Sequence, residues 1–479
     1  MKNEMLVLLA VFVPIIGSLL LPFLGMVSEK IRNGGAFLCV LVSLLSALLL
    51  IPAVTSGATT AIYFSFAPGF GLFQADMLAV FMAVVSSLVG LIIVVYSFDY
   101  ISHYEHRDEY YFLVVLFLGS MMGLVFSRNL ILLYVFWEIT AIASWRLIGF
   151  FREKKYVLRA DKSFLVTFFG ALMMLLGFIM LYDKTGSFDL TVIKHHLAGN
   201  PVSNVAVILI LCGILSKSAT LPLHTWLPDA GVAPSPVTAL LHAAVLVKIG
   251  VYVFARLFIA TFTVEPIWHT IVPAIAAASA LVSAGAALLE TDLKRIIAYS
   301  TISQIGFIFL GLAVGSDVGV AGGLLYILMH GISKGGLFLC AGIVEQNTHT
   351  KDITQMGGLI ATMPVTAVSF FCCALSVMGI PPFGGFFSKY LIISGAVTAG
   401  QLALAATFIV GAFLTVLYLL RVFTMIFLGE VKHEVHEKSH LMVASVALLA
   451  LLALASGIFV SYPSEMANTA VKQMMEVVK

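Results

Sequence analysis

Residues 211–256, LCGILSKSATLPLHTWLPDAGVAPSPVTALLHAAVLVKIGVYVFAR, decide the fold. Two apolar runs each carry one lysine, Lys217 and Lys248, and between them lie Pro222, Pro228, Pro234 and Pro236. An ammonium held in hydrocarbon costs roughly 2.5–3.5 kcal/mol on insertion scales, so a chain that keeps one there has a use for it. The competing reading is a lysine whose aliphatic stem carries its charge to the surface. Proline interrupts the helical ladder, and the carbonyls it frees survive at membrane depth only where protein or a water-filled cavity receives them. A charged residue beside a broken helix is the pattern of an ion pathway.

The composition agrees with a membrane setting. Of 479 residues, 61% are hydrophobic and 10% charged, with a mean hydropathy of +1.08. A soluble domain carries about 25% charged residues, so the chain reads as an all-α polytopic protein of the lipid bilayer. The net charge of +2 says nothing about partners, and the lack of a basic tract argues against nucleic acid. Cys39, Cys212, Cys340, Cys372 and Cys373 sit in apolar runs without CxxC or ferredoxin spacing, no GxGxxG follows a strand, and no P-loop occurs. No cofactor and no metal is therefore expected. HEVHEKSH at 433–440 is rich in histidine but lacks the HExxH spacing.

Apolar runs of about 17–25 residues give fourteen expected spans, at 5–24, 35–54, 75–97, 111–127, 129–150, 162–182, 203–222, 235–258, 269–289, 295–314, 319–345, 362–391, 401–428 and 441–461. The first reads as a retained span, since no small-residue cleavage site follows it. Loops after odd-numbered spans hold Lys30, Arg32, Arg107, Arg152, Lys154, Lys155, Arg159, Lys162, Lys294, Arg295, Lys351, Lys432 and Lys438. The other side holds Lys2, Arg128, Lys184, Lys194, Arg256, Lys472 and Lys479. The positive-inside rule then makes the odd loops cytoplasmic and both termini outward in a cell (inner) membrane. The acidic loop DYISHYEHRDEY, 99–110, reads as solvated.

Span seven breaks at Pro222 and span twelve at Pro381-Pro382, an offset of five helices that inverts the second unit. The expected organisation is 1–110, three N-terminal helices; 111–260, a first five-helix repeat; 261–430, its inverted copy; and 431–479, a cytoplasmic loop and last span.

KSATLPLHTWLPDA with APSPVTALLHAAVLVKIGVYVFAR, DLKRIIAYSTISQIGFIFLG at 292–311 and GIPPFGGFFSKYLI at 379–392 together resemble one family. It is the antiporter-like membrane subunits shared by respiratory complex I, group 4 membrane-bound hydrogenases and Mrp-type sodium/proton antiporters. The resemblance runs from about Asp76 to about Gly429.

Six ionisable residues fall inside expected spans: Glu138, Arg146, Lys217, Lys248, Lys334 and Lys389. Burial disfavours a charged lysine and lets it exchange its proton, whereas an arginine keeps its own. The resemblance implies a proton relay in which Glu138 gates Lys217, Lys248 passes protons through His330 and Lys334, and Lys389 releases them. His224 and His242 are further relay or uptake candidates, each with a plain structural alternative. Arg146 departs from the family pattern; it either reaches the cytoplasmic surface or shares Glu138. Where some relatives carry a second histidine one turn before His330, this chain has Tyr326, which does not titrate near neutral pH. Lys294 and Arg295 read as anchors of span ten.

The leading functional reading is a proton-translocating subunit of a redox-driven complex, with hydrogenase-type ahead of complex I-type because of HTWLPDA and HGISKGG. The chain also ends after span fourteen, without a long lateral helix. The second reading is a subunit of an Mrp-type sodium/proton antiporter. The third is a non-pumping scaffold or inorganic-carbon-uptake partner. All three expect other membrane subunits, paralogous ones among them, as partners.

Overall fold

The computed structural model describes residues 2–57, 59–63 and 71–475; Lys479, counted above among the outer charges, lies outside them. The described chain is almost entirely helical. Helices α1 (Lys2–Val27) and α2 (Glu29–Thr55) lead through an antiparallel pair, β1 (Thr60–Tyr63) and β2 (Gly71–Ala75), to α3 (Met77–Tyr100), α4 (Arg107–Phe126), α5 (Leu130–Ile148) and α6 (Lys154–Thr185). A short α7 (Leu190–His196) precedes α8 (Asn204–Lys217) and α9 (Trp226–Asp229). The next span, Ser235–Ile259, is built from α10 (Ser235–Ala239) and α11 (Leu246–Phe254), each followed by a π-helical turn. Then come α12 (Trp268–Leu289), α13 (Leu293–Ala313), α14 (Asp317–Thr348), α15 (Pro364–Met378), α16 (Gly384–Thr398), α17 (Leu402–Phe427), α18 (His440–Ile458) and α19 (Ser461–Met475).

Twelve of the described helices are long and apolar enough to cross a membrane. Two shorter apolar helices, Asn204–Lys217 and Pro364–Met378, stand where spans seven and twelve are expected. The run 362–391, written above as one span, is two helices. α15 ends at Met378, Gly379 takes the left-handed φ of 83° that favours glycine, and α16 restarts at Gly384. Leu221-Pro222 and Pro381-Pro382 are both cis.

Side-chain caps set the helix starts. Asp76 accepts from Ala79 N, Asn129 from Ile131 N and Leu132 N, and Asp292 from Arg295 N, satisfying amides that the helix itself cannot. The lipid-facing helices keep apolar side chains on their outer faces, as with Phe23, Leu165, Phe413 and Leu451. By contrast α13 and α14 are buried on all sides, and polar residues on them have protein for surroundings. Ser-, Gln-, His- and Lys-bearing positions therefore collect in these two helices and in the fully buried span Ser235–Ile259.

Several expectations are corrected. The 99–110 loop is not merely solvated: Arg107 pairs with Glu29 at 2.5 Å, Asp108 with Arg32 at 2.7 Å, and Glu109 with both Arg146 and Arg152. Arg256 is no loop charge; it is buried in the second π-helical turn and grips Asp76 through both guanidinium nitrogens. Lys294 is 2% exposed and bonds Glu345 at 2.7 Å, so it is more than a surface anchor. Beyond the last expected span, α19 packs on α3 and α14, and Gln473 accepts from Met77 N at 2.8 Å. Short strands, α7 and α19 have no long apolar run, which is why a hydropathy reading passes over them.

The basic loops share one end of the molecule. Lys162 and Arg295 meet on Asp229 at 2.7 and 2.8 Å, Lys294 and Lys351 meet on Glu345 at 2.7 and 3.1 Å, and Lys432 donates to Thr354 O.

Candidate functional site: a buried line of lysines and histidines

Lys217 is the last residue of α8, where the helix no longer supplies partners for its own carbonyls. The Trp226 indole covers one of them, donating to Ser216 O at 2.9 Å. The Lys217 side chain is fully buried, donates to Trp137 O on α5 at 3.2 Å, and lies 5.2 Å from the centre of the Trp137 ring. Glu138 follows Trp137 directly. Tyr134 lies one turn back on α5, and each of Glu138 and Lys217 feels the other's charge. Among the described residues no direct ion pair joins them, and Glu138 Oε1 is buried without a hydrogen bond. The carboxylate and the ammonium are thus neighbours without a direct bond. Arg146 takes no part: it sits in the last turn of α5 and pairs with Glu109 at 2.5 Å.

The next lysine lies behind a helix irregularity. Residues Leu240–Ala244 form a π-helical turn and Val245 leaves helical geometry at φ −130°, ψ −74°. Such turns free a carbonyl from the regular ladder and are frequent at functional sites. Lys248, fully buried, places its Nζ on the freed Ala243 O. An ideal helix would turn His242 about 120° away from Lys248; the π turn changes that register, and the His242 ring lies 4.3 Å from the Phe338 ring of α14. Ser218, beside Lys217, donates to Val247 O, beside Lys248, at 3.1 Å, which fastens the two lysine-bearing elements together.

His330 and Lys334 lie one turn apart on α14, both at 0% exposure. His330 is the centre of the group, within electrostatic range of Lys248, Lys334, His242 and Lys389. Neither ring nitrogen of His330 or of His242 has a partner among the described residues. A buried imidazole without a protein partner is costly as a packing element alone. Gly331 leaves the space in which Lys248 Nζ approaches: a Cβ there would stand 3.0 Å from it. Lys334 Nζ lies 3.2 Å from Ile297 O and 2.5 Å from Ser300 Oγ.

Lys389, in the second turn of α16, reaches back over the break and donates to Val377 O of α15 at 2.7 Å. It stands 4.5 Å from the Phe307 ring centre and 5.7 Å from that of Tyr326. It also lines a cavity of about 460 Å³ with Tyr390, Ser394 and Thr398. His224 stands apart from this line. It is half-buried in the first break with Nδ1 unpartnered among the described residues, near Lys162.

Two further groups escaped the sequence reading. Asp229, in the quoted LPDA, clamps the end of the first break to Lys162 and Arg295. Burial alone would raise the Asp229 carboxyl, but the two cations hold it below its ordinary range. Glu345 lines a polar cavity of about 830 Å³ at the basic end, together with Asp99, His103, His349 and Lys351. Eleven residues separate Glu345 from Lys334 on one helix, which puts them on one face; that spacing was the available signal.

Residues 127–415 match the family described as NADH:quinone oxidoreductase/Mrp antiporter, TM. The chain is 34% identical over 487 aligned residues to the Na(+)/H(+) antiporter subunit A1 of Staphylococcus aureus, an alignment that takes in 94% of this chain and 61% of that protein. The chain therefore spans about three fifths of the curated relatives it matches. Its fold is similar to a chain of the Mrp complex from a Dietzia strain, with TM-score 0.90 and 25% identity over 98% of both chains. It is similar also to a chain of the membrane-bound sulfane sulfur reductase, an archaeal respiratory membrane complex, with TM-score 0.91 and 26% identity over 98% of both.

Proposed function

We propose, from the premise that this chain belongs to the NADH:quinone oxidoreductase/Mrp antiporter membrane family, that it is a proton-translocating subunit of a multisubunit membrane complex. The observation that carries this is the set of buried bases around His330: Lys248, Lys334, His242 and Lys389 all act on one imidazole whose nitrogens are unspent. Titratable groups inside a membrane protein are expensive and mark ion paths. Here the carriers are lysine and histidine, which exchange protons, rather than arginine, which does not.

In this reading Glu138 is the gate. When its carboxylate closes on Lys217 the ammonium is stabilised, and when it withdraws the proton is released inward. Lys248, His330 and Lys334 pass it along, and Lys389 delivers it to the cavity that it lines. His224 and the Glu345 cavity serve uptake at the basic end, which the positive-inside rule makes cytoplasmic in an inner membrane, with both termini outward. The units 111–260 and 261–430 act as inverted copies, each broken beside its lysine, between the helices of 1–110 and the segment 431–479.

Two parent complexes fit. A redox-driven complex, hydrogenase-like or complex I-like, is supported by the likeness to a respiratory reductase chain. An Mrp-type antiporter is supported by the 34% identity to an antiporter subunit and by the Mrp-complex chain. Sodium prefers a cluster of oxygen ligands, and Glu138 is the carboxylate nearest the lysine line, so the proton is the ion assigned to this chain in either case. The deciding experiment is purification of the native complex with identification of its other subunits, followed by proton transport in sealed vesicles. Transport that survives loss of Lys217 would overturn the relay and favour a scaffold role.

A further inference from the structure

The span between Lys334 and Lys389 lacks the second histidine, yet it is not empty. Ser300 and Gln304 of α13, Thr415 and Tyr418 of α17 and Tyr326 of α14 fill it, all at 1% exposure or less. Ser300 Oγ lies 2.8 Å from Tyr418 OH. Gln304 Nε2 lies 3.3 Å from Tyr418 OH, 3.1 Å from Thr415 Oγ1 and 3.4 Å from Ser303 Oγ. Tyr326 OH donates to Gln304 Oε1 at 2.6 Å. One unbroken line of polar contacts thus joins Lys334 to the ring on which Lys389 rests.

The donors in this line are determined by elimination. Thr415 spends its hydrogen on Gly411 O at 2.8 Å, so toward Gln304 it only accepts. That turns the Gln304 amine toward Thr415 and Tyr418 and its oxygen toward Tyr326. Tyr418, receiving from Gln304, gives its own hydrogen to Ser300, and Ser300 keeps both a lone pair, on which Lys334 Nζ donates, and a hydrogen that a neutral Lys334 amine could take. A neutral amine can accept it; an ammonium has no lone pair.

If the Gln304 amide turns over, the senses between Tyr326, Gln304, Tyr418 and Ser300 reverse. Its oxygen takes the Tyr418 hydrogen, its amine gives to Tyr326, Ser300 gives to Tyr418, and Ser300 meets Lys334 with a lone pair that suits the ammonium. We propose that Gln304 is a two-position switch, the orientation of its amide setting whether Ser300 has a hydrogen to offer Lys334 beside its lone pair, or a lone pair alone, and linking that choice to Tyr326 beneath Lys389. The proposal rests on the proton-relay reading above. Gln304 is a positioning residue here; it touches neither lysine and no proton passes through its amide. The feature that biases the switch is Thr415, because only its contact favours one amide orientation while the Ser303, Tyr326 and Tyr418 hydroxyls can serve either.

The test is the pH profile of proton transport by the intact complex reconstituted in sealed vesicles, driven by its own partner reaction and read with a pH-sensitive dye. Thr415→Val removes the bias, and the alkaline limb of the profile is expected to move up by roughly half to one pH unit. Thr415→Ser keeps the acceptor and is expected to keep the wild-type limb. Tyr418→Phe retains the ring, frees Ser300 from its donor and is expected to shift the limb in the same direction. An assembled, transporting Thr415→Val or Tyr418→Phe complex with an unshifted limb overturns the switch, as does a Thr415→Ser shift equal to that of Val. Lys217→Ala is the control. Transport retained there means the relay reading itself fails, whereas transport lost there beside unshifted Thr415 and Tyr418 variants removes only the switch.

Discussion

The two helix breaks are built from the same parts and used differently. In both, an apolar helix ends and a cis Xaa-Pro bond follows. At the first break the lysine precedes the prolines, and a tryptophan covers the freed Ser216 carbonyl. Lys217 crosses to α5, where it meets the residue before Glu138. At the second the lysine follows the prolines and is itself the cover, donating to Val377 O. Glu138 faces Lys217, whereas Lys389 has aromatic faces and a cavity beside it and no carboxylate acting on it among the described residues. The lesson is that a broken helix supplies the place for a charge, and the neighbouring helix decides what the charge can do. In the proposed relay the acid beside Lys217 serves as a gate and the cavity beside Lys389 as an outlet.

The strongest way to break this comparison is at the gate. Lys217→Ala is expected to lower proton transport by roughly a hundredfold or more while the complex still assembles. Lys217→Arg is expected to fail as badly, since arginine holds its proton. Full transport by the arginine variant would reduce Lys217 to a fixed charge.

The outlet is the next test. Lys389→Ala is expected to stop release, with the partner reaction running uncoupled in the same vesicles. Lys389→Glu is expected to keep part of the transport, because a buried carboxylate with a shifted affinity also carries a proton. Normal transport by the alanine variant would move the outlet elsewhere and erase the contrast between the breaks.

A smaller effect separates the covers. Trp226→Phe keeps an aromatic ring and removes the indole donor, leaving Ser216 O with Ala219 N at 3.3 Å, and is expected to lower stability by about 0.5–1.5 kcal/mol in thermal unfolding of the purified complex. If the variant is as stable as the parent, the indole cover of Ser216 O contributes no stability.

The smallest concerns the acid clamp, which in this comparison belongs to the first break. Asp229 is held below its ordinary range in the folded protein by Lys162 and Arg295. Its contribution is therefore fully present above the unfolded carboxyl pKa of about 3.9 and is lost as pH falls through the lower folded value. Partly exposed pairs of this kind contribute about 0.2–1 kcal/mol each. Asp229→Asn is expected to cost a small, constant amount of stability from neutral pH down to about pH 5 and to converge with the parent in stronger acid. A difference that grows toward acid would reverse the assigned sign.

Much of this was legible in the chain because it is written locally. Proline within an apolar run and a lysine among leucines are costly in hydrocarbon whatever the rest of the molecule does, so the broken helices and the candidate residues Glu138, Lys217, Lys248, Lys334 and Lys389 could be named from residue type and position, while His330 was singled out by the family resemblance. Arg146 shows the limit: position in the run put it among the buried charges, yet its partner, Glu109, belongs to another helix. Arg256 shows the converse, a charge at a span's end drawn inside by Asp76, 180 residues earlier.

The amino-acid sequence by itself determined a membrane-spanning helical chain with two proline breaks and a set of lysines and histidines that hydrocarbon does not tolerate without cause. The tertiary structure alone decided their partners. The π-helical turn that reorients His242 relative to Lys248, the Trp137 and Val377 carbonyls that receive Lys217 and Lys389, and the Gln304–Tyr418 contact across 114 residues all depend on which helices pack together. Hydropathy and periodicity fix the length and face of each helix, but only packing fixes which polar atoms meet, because each such contact is made between side chains far apart along the chain.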